Sequence, residues 1–190
     1  MSLSIARSSR YSGYFVAEES SVGRVSYPSV YLDTSIASYL TARLARDFLV
    51  ARRQRLTRIW WQRYRKNHDL FVSDRVIAEA REGDVTASEA RMEALANIRG
   101  LTLDARAESL AHTLVGRRLL PTKASADAEH IAIAATNGVD VLLTWNCRHL
   151  ANPLIHREIV RMCESGGTPC PAICTPEQLM RTYVHARSPA

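Results

Sequence analysis

The stretch SADAEHIAIAATNGVDVLLTWN, residues 125–146, decides the fold. Its first twelve residues are small and apolar apart from Asp127, Glu129 and His130, the composition of a helix buried over most of its surface. Asn137 and Gly138 then close that helix. DVLLT follows at once, a short apolar run that reads as a strand covered on both faces. A buried helix passing through a tight turn into a buried strand is half of a βαβ unit.

The same grammar extends in both directions. After Pro28, SVYLD reads as a strand ending at Asp33, and TSIASYL opens a helix with Thr34 or Ser35 as its N-cap. Helical spacing runs from 42 to about 65, with Leu44, Phe48, Ala51, Leu56, Ile59 and Trp60 as an apolar stripe. LFVS (70–73) is a second strand, and DRVIAEAREG a helix capped by Asp74 and closed by Gly83. A helix over 87–100, a third strand LTLD (101–104) and a helix over 105–120 stopped by Pro121 come next. Ser125 caps the helix quoted above. A helix over 153–167, a strand PAICT (171–175) and a last turn from PEQLM end the chain. Strands alternate with helices, and no tight hairpin joins two strands. The expectation is a three-layer α/β/α sandwich with a mostly parallel central sheet, in one domain over 28–185. Residues 1–27, rich in Ser, Arg and Tyr without a period, read as a flexible N-terminal extension.

Composition narrows the class. With 190 residues, 46% of them hydrophobic, the chain can bury a real core. No apolar run reaches the roughly 18–20 residues of a membrane span, and the N-terminus has no apolar signal region. The four cysteines form no CxxC pair and read as reduced thiols, so a cytoplasmic location is expected. A net charge of +6 favours a polyanionic partner. Nine basic residues lie between Arg43 and Lys66 beside one acid, Asp47, and Trp60, Trp61 and Tyr64 interleave with them. Such a mixture suits RNA, by phosphate contact and base stacking, or a partner chain.

In an open parallel sheet, sites form beyond the carboxyl ends of the strands. Asp33 ends the first strand, Thr144 and Asn146 follow the fourth, and Asp127 lies in the first turn of a helix that starts at the same edge. Glu79, a turn and a half into its helix, is in reach. Each has a plainer role alone: Asp127 complements a helix dipole, worth roughly 0.3–1 kcal/mol, and Asp33 caps a helix. Together, three crowded carboxylates call for a cation, and an oxygen-rich set suits Mg²⁺ or Mn²⁺. Glu129, about 200° around the helix from Asp127, is expected on the surface, and His130 is expected as a packed, hydrogen-bonded histidine. Arg148 and His149 are candidates for phosphate contact.

VYLDTS, VIAEA, ADAEHIAIAA and VLLTWNCRHLAN, in this order, resemble the motifs of PIN-domain ribonucleases, and are most similar to the VapC-like toxins of toxin–antitoxin pairs. The resemblance covers about residues 29–180. It implies a PIN-like fold, and an acidic quartet on Asp33, Glu79, Asp127 and the position of Asn146. The first three would bind metal, and Thr144 would orient a water or an acidic neighbour. Many relatives carry aspartate where this chain has Asn146, which brings a second metal into question. The activity implied is Mg²⁺-dependent endoribonuclease cleavage of RNA, leaving a 5′-phosphate and a 3′-hydroxyl, with a cognate antitoxin and a homodimer as partners. The alternative is a degenerate PIN domain that binds RNA or a protein without cutting.

Overall fold

The computed structural model of the chain describes residues 27–117 and 125–186. The expectations for residues 1–26 and for Pro121 lie outside these. Five strands form one sheet: β1 Ser29–Leu32, β2 Asp69–Ser73, β3 Arg99–Leu101, β4 Val141–Leu143 and β5 Ala172–Cys174. Their order is β3-β2-β1-β4-β5, and every pairing is parallel, so "mostly parallel" sharpens to wholly parallel among the described residues. The helices are α1 Thr34–Thr41, α2 Phe48–Arg63, α3 Asp74–Ala80, α4 Val85–Leu95, α5 Ala105–Gly116, α6 Ser125–Thr136, α7 Pro153–Ser165 and α8 Pro176–Ala186. They flank the sheet to give the three-layer α/β/α architecture. α1 packs on α2, α3 and α4, and α2 on α8, whereas α5 packs on α6 and α7.

The core follows from the strand sequences. Val30, Tyr31 and Leu32 of β1 and Val141, Leu142 and Leu143 of β4 are all fully buried, the unbroken apolar run that parallel strands show when both faces are covered. Along α6, Ala128 and every residue from His130 to Ala135 are buried, and the alanines let the helix lie close to its neighbours. Its end is a Schellman motif: Gly138 takes φ +64°, Val139 N–H donates to the Ala134 carbonyl and Gly138 N–H to that of Ala135. Glycine adopts that left-handed conformation without steric penalty.

Several boundaries differ from expectation. Asp33, not Thr34 or Ser35, caps α1, and Ser73, not Asp74, caps α3 by accepting from Val76 N–H. Ser125 is the first residue of α6 rather than its cap. β3 begins at Arg99, so α4 stops at Leu95, and the expected last turn is the full helix α8. The helical stretch from 42 to 65 shortens to α2, because Asp47 accepts from Val50 N–H and starts a new helix there.

The buried line of α2 is also rotated from the expected stripe. Ala51, Gln54, Thr57 and Trp60 face inward, while Phe48 is 71% exposed, and Leu44 and Ile59 are exposed as well. The two buried polar side chains explain this. Gln54 Nε2–H donates to the Arg43 carbonyl, and its Oε1 accepts from Ala45 N–H, tying down the connector before α2. Thr57 Oγ1 accepts from Trp145 Nε1–H at 2.7 Å. Satisfied in this way, a buried amide and hydroxyl are not costly, and they anchor the loop after β4.

Candidate active site

β1 is the switch point of the sheet: the chain runs outward through β2 and β3, then returns to its other side through β4 and β5. Side chains at the carboxyl ends of β1 and β4 therefore border a crevice. Asp33 N–H donates to the Leu143 carbonyl, which sets Asp33 and Thr144 side by side. Asp33 is only 6% exposed. Its Oδ2 accepts from Ser35 Oγ at 2.5 Å, Thr144 Oγ1 at 2.7 Å and Ser35 N–H at 3.3 Å. Its Oδ1 accepts no hydrogen bond from the described residues, and His130 Nε2 lies 3.7 Å from it.

Glu79 reaches the same edge from α3. Thr34 Oγ1 donates to its Oε2 at 2.5 Å, His130 Nε2 lies 3.3 Å from that oxygen, and Arg75 Nε–H donates to Oε1 at 3.1 Å. Arg75 also stands 3.5 Å from Glu129 Oε2, so Glu129 is drawn to the rim of the site rather than into solvent. His130 is 1% exposed, and its Nδ1 shares a 2.8 Å hydrogen bond with the Tyr31 hydroxyl, itself 2.6 Å from Ser73 Oγ. Packed and hydrogen-bonded it is, yet it also faces the acids. One ligand atom each from Asp33, Glu79 and His130 lies within 4.8 Å of the other two.

Asp127 stands in a second group. Asn146 Nδ2–H donates to its Oδ1 at 2.8 Å, and His149 Nδ1–H to its Oδ2 at 2.7 Å. Asn146 Oδ1 in turn accepts from His149 N–H at 3.1 Å, and Asn146 N–H donates to Thr144 Oγ1. An amide serves here where a carboxylate would not, since only the amide can donate to Asp127. Thr144 thus joins the two groups, holding Asp33 with its proton and Asn146 with its oxygen. His149, a candidate for phosphate contact, is a hydrogen-bond partner of Asp127.

The basic helix is partly committed. Arg58 donates to the carbonyls of Leu40 and Ala42, Arg53 lies over the Trp145 ring, and Arg52 pairs with Glu177. Trp60 is core, with an Nε1 that finds no partner among the described residues, and Tyr64 stacks on Tyr183. Arg43, Arg46, Arg55, Arg63 and Lys66 are exposed.

The charges respond to this packing. Burial works to raise the Glu79 carboxyl, but the hydrogen bond and charge of His130, the Thr34 hydroxyl and Arg75 outweigh it and hold the group at about 2. Burial dominates at Asp127 and raises it despite His149. Burial opposes charge on His130, but the hydrogen bond to Glu79 and the charges of Asp33, Glu79 and Asp127 raise it above its ordinary 6.5. His68, buried and bonded to the Tyr64 carbonyl, is lowered by that burial. A raised histidine stabilises the fold fully below 6.5 and loses that contribution as pH climbs through its folded pKa. A lowered one destabilises the fold as pH drops below 6.5. In chelator, Tm is therefore expected to peak near pH 6.5 and fall on both sides. His130→Gln should flatten the alkaline limb alone, as read by circular dichroism melts. A limb unchanged in that variant would contradict the assignment.

No protein-family model and no curated protein sequence matches the chain. Solved structures do. VapC20 of Mycobacterium tuberculosis, a toxin that cleaves the sarcin–ricin loop, aligns with a TM-score of 0.51 at 19% identity, over 66% of this chain and 95% of its own. The chain has a VapC-like PIN fold. VapBC2 of Rickettsia felis, bound to a DNA fragment from its promoter, aligns more loosely, with a TM-score of 0.47 at 14% identity over 77% of this chain and 97% of that one. Within the PIN fold described here, no helix among the described residues is long and apolar enough to cross a membrane, and the four cysteines are free thiols.

The donor set fits a metal ion. Oxygens and nitrogens bound cis on an octahedral ion at about 2.1 Å sit about 3.0 Å apart, and trans about 4.2 Å. The 3.3 and 3.7 Å separations around His130 Nε2 lie between these.

Proposed function

We propose that this chain is a metal-dependent endoribonuclease and the toxin of a toxin–antitoxin pair. The observation that carries the reading is the placement of Asp33, Glu79 and Asp127 at the carboxyl edge of β1 and β4, in a chain whose net charge is +6. Asp33 and Glu79 hold a divalent ion, Mg²⁺ or Mn²⁺. Such an ion makes bound water acidic and offsets charge on the phosphoryl group under attack. Thr144 and Ser35 fix the Asp33 carboxylate by occupying Oδ2 and leaving Oδ1 toward the crevice. Asp127 holds His149 by Nδ1–H, so the His149 Nε2, which has no partner among the described residues, is directed to take a proton. The exposed Arg43, Arg46, Arg55, Arg63 and Lys66 attract the RNA backbone. The exposed Phe48, Leu49 and Leu154 offer apolar surface to an antitoxin or to a second copy of the chain.

Cleavage of total RNA by the purified chain, with Mg²⁺, with Mn²⁺ and with EDTA, tests this beside Asp127→Asn. Cleavage is expected with metal only, and to fall by about 10²-fold or more in the variant. Tm should shift by no more than a few degrees, because the asparagine oxygen still accepts from Asn146 and its amide donates to a neutral His149. Absence of cleavage with either metal, joined to RNA binding that ignores EDTA, would favour a PIN domain that binds without cutting.

A further inference from the structure

From the placement of His130 among the acids, we infer that the metal centre is a mixed nitrogen and oxygen site, with His130 Nε2 as a ligand to the ion beside Asp33 and Glu79. The inference rests on reading this pocket as a metal centre, and deepens it by naming the ion's chemical class. Three facts carry it. His130 is 99% buried, yet its Nε2 points at two carboxylates, 3.3 Å from Glu79 Oε2 and 3.7 Å from Asp33 Oδ1. Asp33 Oδ1 belongs to a side chain more than nine-tenths buried and accepts no hydrogen bond from the described residues, so an acceptor is left aimed into the same space.

The third fact is the support behind the ring. Tyr31 Oη lies 2.8 Å from Nδ1 and 2.6 Å from Ser73 Oγ, which also accepts from Val76 N–H. In the ligating state Nδ1–H donates to Tyr31 and the Tyr31 hydroxyl donates to Ser73, leaving the Nε2 lone pair for the ion. A metal-binding histidine commonly has its second nitrogen anchored in this way, which fixes both tautomer and ring orientation. Asp127 is engaged instead with Asn146 and His149, and among the described residues the clustered ligand atoms are those of Asp33, Glu79 and His130.

An imidazole ligand changes which ion is preferred. Mg²⁺ selects hard oxygen donors, whereas nitrogen donors favour divalent transition metals. The site should therefore prefer Mn²⁺ over Mg²⁺ by more than an all-oxygen site does, and that surplus should belong to His130.

The test is spectroscopic and uses the full chain with Mn²⁺ as the probe. Pulsed electron paramagnetic resonance of bound Mn²⁺ is expected to show nitrogen-14 coupling from a coordinated imidazole. The coupling should vanish in His130→Gln and persist in His149→Gln. The Mn²⁺ to Mg²⁺ affinity ratio, from competition titrations, should fall by about tenfold in His130→Gln. Bound Mn²⁺ without nitrogen coupling in the unmodified chain would overturn the inference, whether or not the variant folds. So would coupling lost in His149→Gln instead, or no Mn²⁺ binding at all. The nuclease reading is judged separately. Nitrogen coupling without RNA cleavage leaves His130 as a ligand and removes the nuclease. RNA cleavage with an ion that has no nitrogen neighbour does the reverse.

Discussion

Asp33→Asn is expected to reduce RNA cleavage by at least about 10³-fold while leaving the chain folded. The two expectations come from the same side chain. Asn is as good an N-cap as Asp, and its amide oxygen can accept from Thr144 and Ser35 as Oδ2 does. The amide nitrogen then stands where Oδ1 did, donates to a neutral His130, and removes one of the charges that would hold the ion. Asp33→Ala separates the two roles. It loses the cap, worth about 1 kcal/mol, and strands the buried Thr144 hydroxyl, worth about 1–3 kcal/mol more. Its Tm should therefore fall by several degrees where that of Asp33→Asn does not. Cleavage rates and melting curves on the two variants are the check. Wild-type cleavage by Asp33→Asn would remove Asp33 from the metal site.

The largest effect on stability is expected at Leu142. It sits mid-strand in β4, fully buried, in register with Tyr31 of β1 and Ile173 of β5. Leu142→Ala deletes buried volume where neighbours on both sides are held by strand pairing and cannot collapse into the gap. A cost of about 3–4 kcal/mol follows, or roughly 6–16 °C in Tm for a chain of this size. Urea unfolding should show a lower midpoint with an unchanged slope. A loss below about 1 kcal/mol would mean that this part of the sheet relaxes freely.

The central strands were legible because both their faces are covered. SVYL and VLL read as unbroken apolar runs, and the buried helix between two turns marked α6 as plainly. β3 was less so: two of its three residues are exposed and one is Gly100, so it carries almost no pattern. α2 misled for the opposite reason. Its pattern is clear, but Gln54 is buried on the backbone of the connector before it and Thr57 on Trp145, distant in sequence, while Phe48 and Leu49 stay outside. At the site, the strand-end rule placed Asp33, Thr144 and Asn146 at one edge, and Glu79 within reach. It did not place His149 on Asp127, a contact that depends on how the chain turns after β4. Nor did it find the capture of Glu129 by Arg75, which needs α3 and α6 to be packed first. Periodicity reports which way a side chain faces its own element, and both of these contacts are made between elements.

The hydrogen bonds behind the acids have one further consequence. Ser73 starts α3 and meets Tyr31; Tyr31 meets His130; His130 meets Glu79, which lies near the far end of α3. The path begins at the N-cap of a seven-residue helix and ends on that same helix. A helix that short has little stability of its own in water. Here it is braced at both ends by one frame that crosses β1 and α6. α3 therefore behaves as a strut, which cannot tilt without opening the frame at two places. The pocket takes its stiffness from that closure, with only two side chains, Tyr31 and His130, between Ser73 and Glu79.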